Sequence, residues 1–524
     1  MRPMLRNHLF PLAFAGLCAG TLLATSDAFI DSRILPKRYA FAFGIAAVLT
    51  VAAIAGHTDC DRCRRQTARF CAVVIGAACL AEAVTGILQF MQLWPPYGRF
   101  RVTGTFDNPA GFAAVLCCGL PFILSFLNEE RRTMRYSAVA ATIPVIVGII
   151  LSGSRTGMLC AVIVLAVRVS GAVRRWKYLR QSVPLLALLL LAGLYLLKKD
   201  SADGRLLVWR CSLEMIIDKP LFGHGPGGFT AEYMNYQADY FRTHPDSPYA
   251  QLADSVHHPF NEYLLAAVDY GCLGLLVLIV SGAAIVRRYR RAAGGDPIIR
   301  AAGSCLLAIG IFAIFSYPFF YPFTWAMALF SLWIVFGCSW LSRLLPRFLA
   351  IGAAATLCVF ALRDMRNQYA WQRADRMATV GDPANALPLY EKSYPKLVRD
   401  RHFLYNYAYV LNEAGEYAES LAIAEACSER WADYHVELLR GDAAFKLERY
   451  DEAERHFAQA ARMCPSRFMP LYKLVTIYQA TERKNKAYDL AKRILAKEVK
   501  IPSATVTAIR HEMRRIVDTT NKVQ

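Results

Sequence analysis

Three arginines, Arg155, Arg205 and Arg210, and the histidine pair His257 and His258 are the residues of this sequence best suited to chemistry. Guanidinium groups hold phosphate oxygens through forked, charge-assisted hydrogen bonds worth about 1.5–3 kcal/mol each. They also stabilise the negative charge that grows as a bond to phosphate breaks. An imidazole titrating near neutral pH is suited to take a proton from a hydroxyl. Together these groups supply what is needed to move a phosphate-activated group onto a hydroxyl. No metal is required if enough guanidinium groups converge. Each residue also has a plainer reading: Arg155 as an interfacial anchor, Arg205 and Arg210 as solvated charges, a histidine as a helix cap. Their placement along the chain decides between the two.

The chain has 524 residues, of which 55% are hydrophobic, and a formal net charge of +19. Many apolar runs approach the length of about twenty residues needed to cross a bilayer. About eleven spans are expected, at 9–26, 39–56, 70–93, 109–127, 136–153, 156–172, 182–197, 261–286, 301–316, 322–341 and 347–363. The basic residues fall between these runs, which points to membrane topology and away from nucleic acid. Clusters at Arg62–Arg69, Arg131–Arg135, Arg174–Arg180, Arg287–Arg291 and Arg343–Arg347 all occupy even-to-odd connections. With the N-terminus inside, every cluster is cytoplasmic. Met1 to Ala28 then reads as an uncleaved first helix.

That topology puts the long polar loop 198–260, the segment 94–108, the turn at Ser154 and Arg155, and the C-terminal part outside. Arg99, Arg101, Arg155, Arg205 and Arg210 therefore stand on the outer face, against the usual preference. An anionic substrate at the outer leaflet accounts for them; snorkelling to headgroups is the simpler account for Arg99 and Arg101. An outer-leaflet enzyme has no nucleotide sugar or ATP, so a glycosyl donor there is expected to be activated on a lipid phosphate or diphosphate. Asp107 or Asn108 before Pro109 is a helix-start signal, weighed above a substrate role. The glycines of PLFGHGPGGF (220–229) are expected to form a tight loop, since no nucleotide-binding context surrounds them.

The 15 cysteines mostly sit in apolar runs and read as small buried hydrophobes. A lone CxxC (Cys60, Cys63) and the DxD formed by Asp59 and Asp61 carry little weight. From residue 364 the composition turns polar and helical. Ala386, Ser420, Ala453 and Ala487 recur at intervals of 34, 33 and 34 residues, with Tyr417 and Tyr450 at one common offset. This period fits tetratricopeptide helix pairs, a protein- or peptide-binding array. The expected fold is all-α: a polytopic membrane bundle over 1–363 followed by a repeat domain over 364–524.

Five segments, GTFDNPAGFA (104–113), SRTGML (154–159), GRLLVW (204–209), DKPLFGHGPGGF (218–229) and HPFNEYLLAAVDYGCLG (258–274), resemble the bacterial O-antigen ligase and O-antigen polymerase superfamily in order and topology. The resemblance implies a multi-span glycosyltransferase of the inner membrane, acting on its periplasmic side on undecaprenyl-diphosphate-linked glycans, without ATP, an obligatory metal or another cofactor. It implies that Arg155, in an Arg-x-x-x-Leu motif, and Arg205 bind the diphosphate, with Arg210 close by. It also implies that the histidine before span eight is the base. The family's ligases commonly place histidine directly before the Asn of Asn-x9-Gly-x2-Gly. Here Asn261, Gly271 and Gly274 keep the spacing, but Phe260 precedes Asn261. The base is therefore His258, by preference, or His257. Glu262 is better read as a first-turn acid complementing the helix dipole. The acceptor is lipid A-core, a growing glycan or a protein hydroxyl, and the repeat leaves room for a protein partner. A transporter or a membrane-anchored scaffold are the rival classes. The first predicts charged residues within the spans.

Overall fold

A computed structural model describes residues 2–55, 61–173, 199–292, 295–337, 346–381 and 383–523. Among these the regular elements are all helical, with no strand. The chain is a multi-pass membrane protein, and its α-helices run α1 (Arg2–Leu23), α2 (Ile34–Ala55), α3 (Asp61–Phe90), α4 (Pro109–Leu124), α5 (Arg132–Leu151) and α6 (Arg155–Val173). The stretch expected as a long polar loop is largely helical, as α7 (Lys199–Asp218) and α8 (Gly228–Thr243). Its apolar residues recur at helical spacing, so Leu207, Val208, Cys211 and Met215 form one buried stripe. Next come α9 (Glu262–Ala292), kinked at Gly271, then α10 (Pro297–Phe315), α11 (Pro322–Phe336) and α12 (Arg347–Val380).

Among the described residues, six helices are long and apolar enough to cross a membrane: Ile34–Ile54, Arg65–Phe90, Arg132–Leu151, Glu262–Ala292, Pro297–Phe315 and Arg347–Val380. Leu9–Leu23, Pro109–Leu124 and Pro322–Phe336 are apolar but shorter. A helix of 16 residues such as α4 spans only about 24 Å at 1.5 Å per residue. The span expected at 182–197 lies outside the described residues, as do Asp59 and Cys60.

The residues divide into two compact units. The first comprises Met1–Leu197, Phe260–Glu262 and Val277–Tyr369. Helix α4 is its central post: every residue from Gly111 to Leu124 is buried, against α3, α5, α6, α10 and α11. The cysteines Cys18, Cys79, Cys117, Cys118, Cys160 and Cys305 are buried in its apolar core, which is their expected place. Cys358 is half-buried, and Cys338 lies outside the described residues.

The second unit comprises Lys198–Pro259, Tyr263–Leu276 and Ala370–Gln524. Its C-terminal helices are α13 (Pro383–Leu397), α14 (Arg401–Glu413), α15 (Tyr417–Ser428), α16 (Tyr434–Lys446), α17 (Tyr450–Met463), α18 (Met469–Ala480), α19 (Lys484–Ala496) and α20 (Ala504–Val523). Ala386, Ser420, Ala453 and Ala487 are buried, each the fourth residue of α13, α15, α17 and α19 respectively. Small side chains there let each helix approach the one before it; the Ser420 hydroxyl donates to Ala408 O on α14 at 2.7 Å.

The turns entering α15, α17 and α19 share a second feature. Gly415, Glu448 and Glu482 occupy equivalent positions, all with positive φ (90°, 59° and 58°). Glycine adopts that conformation freely, whereas a glutamate there is strained by its Cβ. Glu448→Gly and Glu482→Gly are each expected to stabilise the second unit by about 0.5–1 kcal/mol, read as a higher thermal midpoint. An unchanged or lowered midpoint in both contradicts the strain argument.

Candidate functional site

The histidine pair lies in an irregular segment of the second unit, between a 3-10 turn (Pro248–Gln251) and α9. With no helix or strand of its own, the segment takes its shape from what holds it. Two tryptophans bracket His258. The Trp209 indole, on α7, donates to Pro259 O at 2.9 Å. Trp431, before α16, packs its ring 5.6 Å from that of His257. His257 keeps solvent access, yet the protein around its ring removes enough water to lower its pKa, with Asp433 opposing. It is thereby biased toward the neutral imidazole.

Arg205 is half-buried and precedes Trp209 by four residues, one turn of α7. Residues four apart share a helix face. Arg205 is therefore on the face whose tryptophan contacts the segment carrying His258. Arg210 is five residues on from Arg205, roughly 140° around the helix. Its guanidinium lies over the Tyr240 ring, 4.9 Å from the centroid. The two arginines of α7 thus serve different faces.

The glycine-rich loop is a joint. Its backbone amides are consumed by α9: His224 N donates to Val268 O at 2.8 Å and Gly225 N to Asp269 O at 2.9 Å. The Asp269 carboxylate accepts from Gly227 N and Phe229 N, both at 3.0 Å, which caps the start of α8. On the other side, Cys272 N donates to Pro220 O at 2.8 Å, where α9 breaks at Gly271. A Cβ on Gly223 would meet Val268 O at 2.4 Å, and one on Gly271 would meet Leu221 O at 2.4 Å. Both residues also have positive φ (69° and 65°). So Gly223 and Gly271 are demanded by the mutual approach of two backbones. Amides spent in this way do not cradle phosphate.

In the first unit, Arg155 is the first residue of α6. Buried Ser154 caps that helix, accepting from Gly157 N at 3.2 Å. A guanidinium beside the positive end of a helix favours an anion twice over. Asn108 caps α4 as its spacing before Pro109 predicts, accepting from Ala110 N and Gly111 N at 2.9 Å. Its amide donates to Tyr321 Oη (2.6 Å) and Tyr317 Oη (3.1 Å), and Tyr321 Oη in turn donates to Asp107 (3.0 Å). Burial raises the Asp107 pKa, with the Tyr321 hydroxyl opposing. Arg101 lies over the Phe90 ring (3.9 Å) and donates to Phe90 O at 3.3 Å, at the C-terminus of α3. Arg99 is exposed in the same segment. Glu262 opens α9 and accepts from Phe319 N at 3.3 Å. Phe260, the residue before Asn261, has φ 54°, a strained value for a bulky side chain.

Several positioning groups carry no motif and escape sequence reasoning. Glu82 and Gln89 of α3 and Lys37 of α2 are fully or nearly fully buried. Glu82 accepts from Thr105 N (2.7 Å), Gln89 pairs with Thr103 and Gly104, and Lys37 Nζ donates to Leu22 O. They tie the segment 103–105 into the bundle. Of these, Glu82 alone is an isolated charge within an apolar run, and so carries a signal in the sequence. Trp209 and Asp269 lie in the quoted segments, and Trp431 and Asp433 in none; the use of all four depends on partners distant in sequence.

Residues 139–279 match the family model described as O-antigen ligase. No curated protein matches the chain. The matched range contains Arg155, Arg205, Arg210, His257, His258, Asn261 and Glu262, while Arg99, Arg101 and Asn108 precede it.

Proposed function

From the O-antigen ligase domain that this chain carries at residues 139–279, we propose that it transfers a glycan from undecaprenyl diphosphate to a hydroxyl acceptor on the periplasmic face of the inner membrane. The domain itself supports the broader statement, a glycosyltransferase-like enzyme of the ligase and polymerase superfamily. The observation that carries the finer reading is the bracketing of the His258 segment by Trp209 and Trp431, with Arg205 one turn from Trp209.

In the proposed reaction His258 takes the proton of the acceptor hydroxyl. The acceptor oxygen forms a bond to the anomeric carbon as the bond from that carbon to the diphosphate oxygen breaks. Attack opposite the leaving group inverts the configuration. Undecaprenyl diphosphate departs with the electron pair, its charge held by Arg155 and Arg205. Arg210, engaged with Tyr240, has a supporting part. His257 is the alternative base.

The basic clusters support an N-terminus in the cytoplasm and residues 198–260 with the C-terminal helices in the periplasm. The repeat spacing and the buried fourth residue of alternate helices support a tetratricopeptide-like array, suited to a protein acceptor or partner. Vesicles containing the purified protein and an undecaprenyl-diphosphate-linked glycan test the reaction. Transfer to lipid A-core, to a second glycan or to a protein hydroxyl identifies the acceptor class. Absence of transfer to all three, with periplasmic reporters silent when fused within 198–260, overturns the proposal.

A further inference from the structure

The irregular segment bearing the histidines is strapped to the C-terminal helices within the second unit. Buried Gln237, on α8, donates from Nε2 to both Asp254 O (3.1 Å) and Met463 O (2.7 Å). The Ala432 amide donates to Ala231 O at 3.1 Å. Arg467 pairs with Asp254 at 2.7 Å. Asp433, 1% exposed, divides its carboxylate: one oxygen accepts from His435 N (2.7 Å) and caps α16, and the other accepts the Ser255 hydroxyl. Trp431, the neighbour of His257, is itself enclosed by His402, Tyr405 and Arg401.

A base works only within hydrogen-bond reach of the proton it takes, and a misplacement of about 1 Å costs roughly a hundredfold in rate. Residues 252–261 form no helix or strand to hold a histidine at that tolerance. The contacts that hold it come from α7, α8 and the C-terminal region.

We propose that the C-terminal helices are a working part of the histidine-bearing site, with Ser255, Asp433 and Arg467 as positioning residues that fix the segment Asp254–Pro259. This rests on the assignment of a histidine base made above. It gives the repeat region a role in the transfer step in addition to any partner it binds.

The test uses the full-length chain in lipid vesicles with an undecaprenyl-diphosphate-linked glycan and the acceptor it uses. The double variant S255A/R467A removes both side-chain straps but leaves the Asp433 cap and Gln237 in place, so the helices stay folded. Hydrogen exchange in 252–259 is expected to rise at least about tenfold, with 434–463 unchanged, while kcat falls about tenfold and KM for the donor stays within about twofold. S255T/R467K, which keeps the hydroxyl and the cation, is expected to recover both readouts. Unchanged exchange in S255A/R467A overturns the strap. Raised exchange with unchanged kcat overturns its role in transfer. Full activity in H257A/H258A instead overturns the base assignment, and the exchange comparison separates that failure from loss of the strap.

Discussion

Replacing His258 by alanine is expected to lower kcat for glycan transfer by about 10²–10⁴-fold, the range for loss of a general base. KM for the lipid-linked donor should change little, because the base acts on the acceptor hydroxyl and the diphosphate is held elsewhere. His257→Ala is expected to cost less, about tenfold, through loss of packing on Trp431 and a looser segment. The pH profile tests His257 as the alternative base. The base is active when neutral, so kcat/KM rises with pH through its titration. Burial lowers the His257 pKa from its ordinary 6.5, so a base at His257 puts the acid limb below that value. Wild-type rates in His258→Ala with a dead His257→Ala would exchange the roles; full activity in both variants excludes a histidine base.

Arg205→Ala is expected to lower transfer by roughly 10²–10³-fold, the cost of removing one preorganised donor from developing charge. Arg205→Lys keeps the charge but loses the planar fork, and should fall between alanine and wild type. A cycle with Arg155→Ala tests whether both arginines hold one diphosphate. Residues acting on the same group give losses that do not add, whereas independent residues give losses that do. Arg210→Ala should cost less than Arg205→Ala, because Arg210 lies over Tyr240 on another face of α7. Equal losses for Arg205 and Arg210 contradict that division; wild-type transfer in Arg205→Ala removes this arginine from the mechanism.

Much of the architecture was legible because its signals are local. Apolar runs, proline and capping side chains announce helices without reference to distant residues. The start of α4 at Pro109, capped by Asn108, is such a case. The spacing of Ala386, Ser420, Ala453 and Ala487 is another, since small residues are needed wherever paired helices cross. The stretch 198–260 was harder to read. Its many polar residues suggested loop, yet α7 and α8 bury an apolar stripe against the C-terminal helices, a partner more than 170 residues away in the chain.

The sequence by itself determined the helical class, the membrane character and the chemical types present: guanidinium groups for phosphate and imidazoles for a proton. These follow from composition and short-range spacing, where each residue's physics is its own. Only the tertiary structure decided what each group is used for. It showed that the glycine-rich loop spends its amides on α9, that Arg205 and Arg210 serve different faces of α7, and that Asn108 is engaged as a cap and with two tyrosines. It also joined the histidine segment to Trp209 and Trp431. A hydrogen bond or a ring contact needs atoms within a few ångströms. For residues tens or hundreds of positions apart, only the packed fold sets that distance.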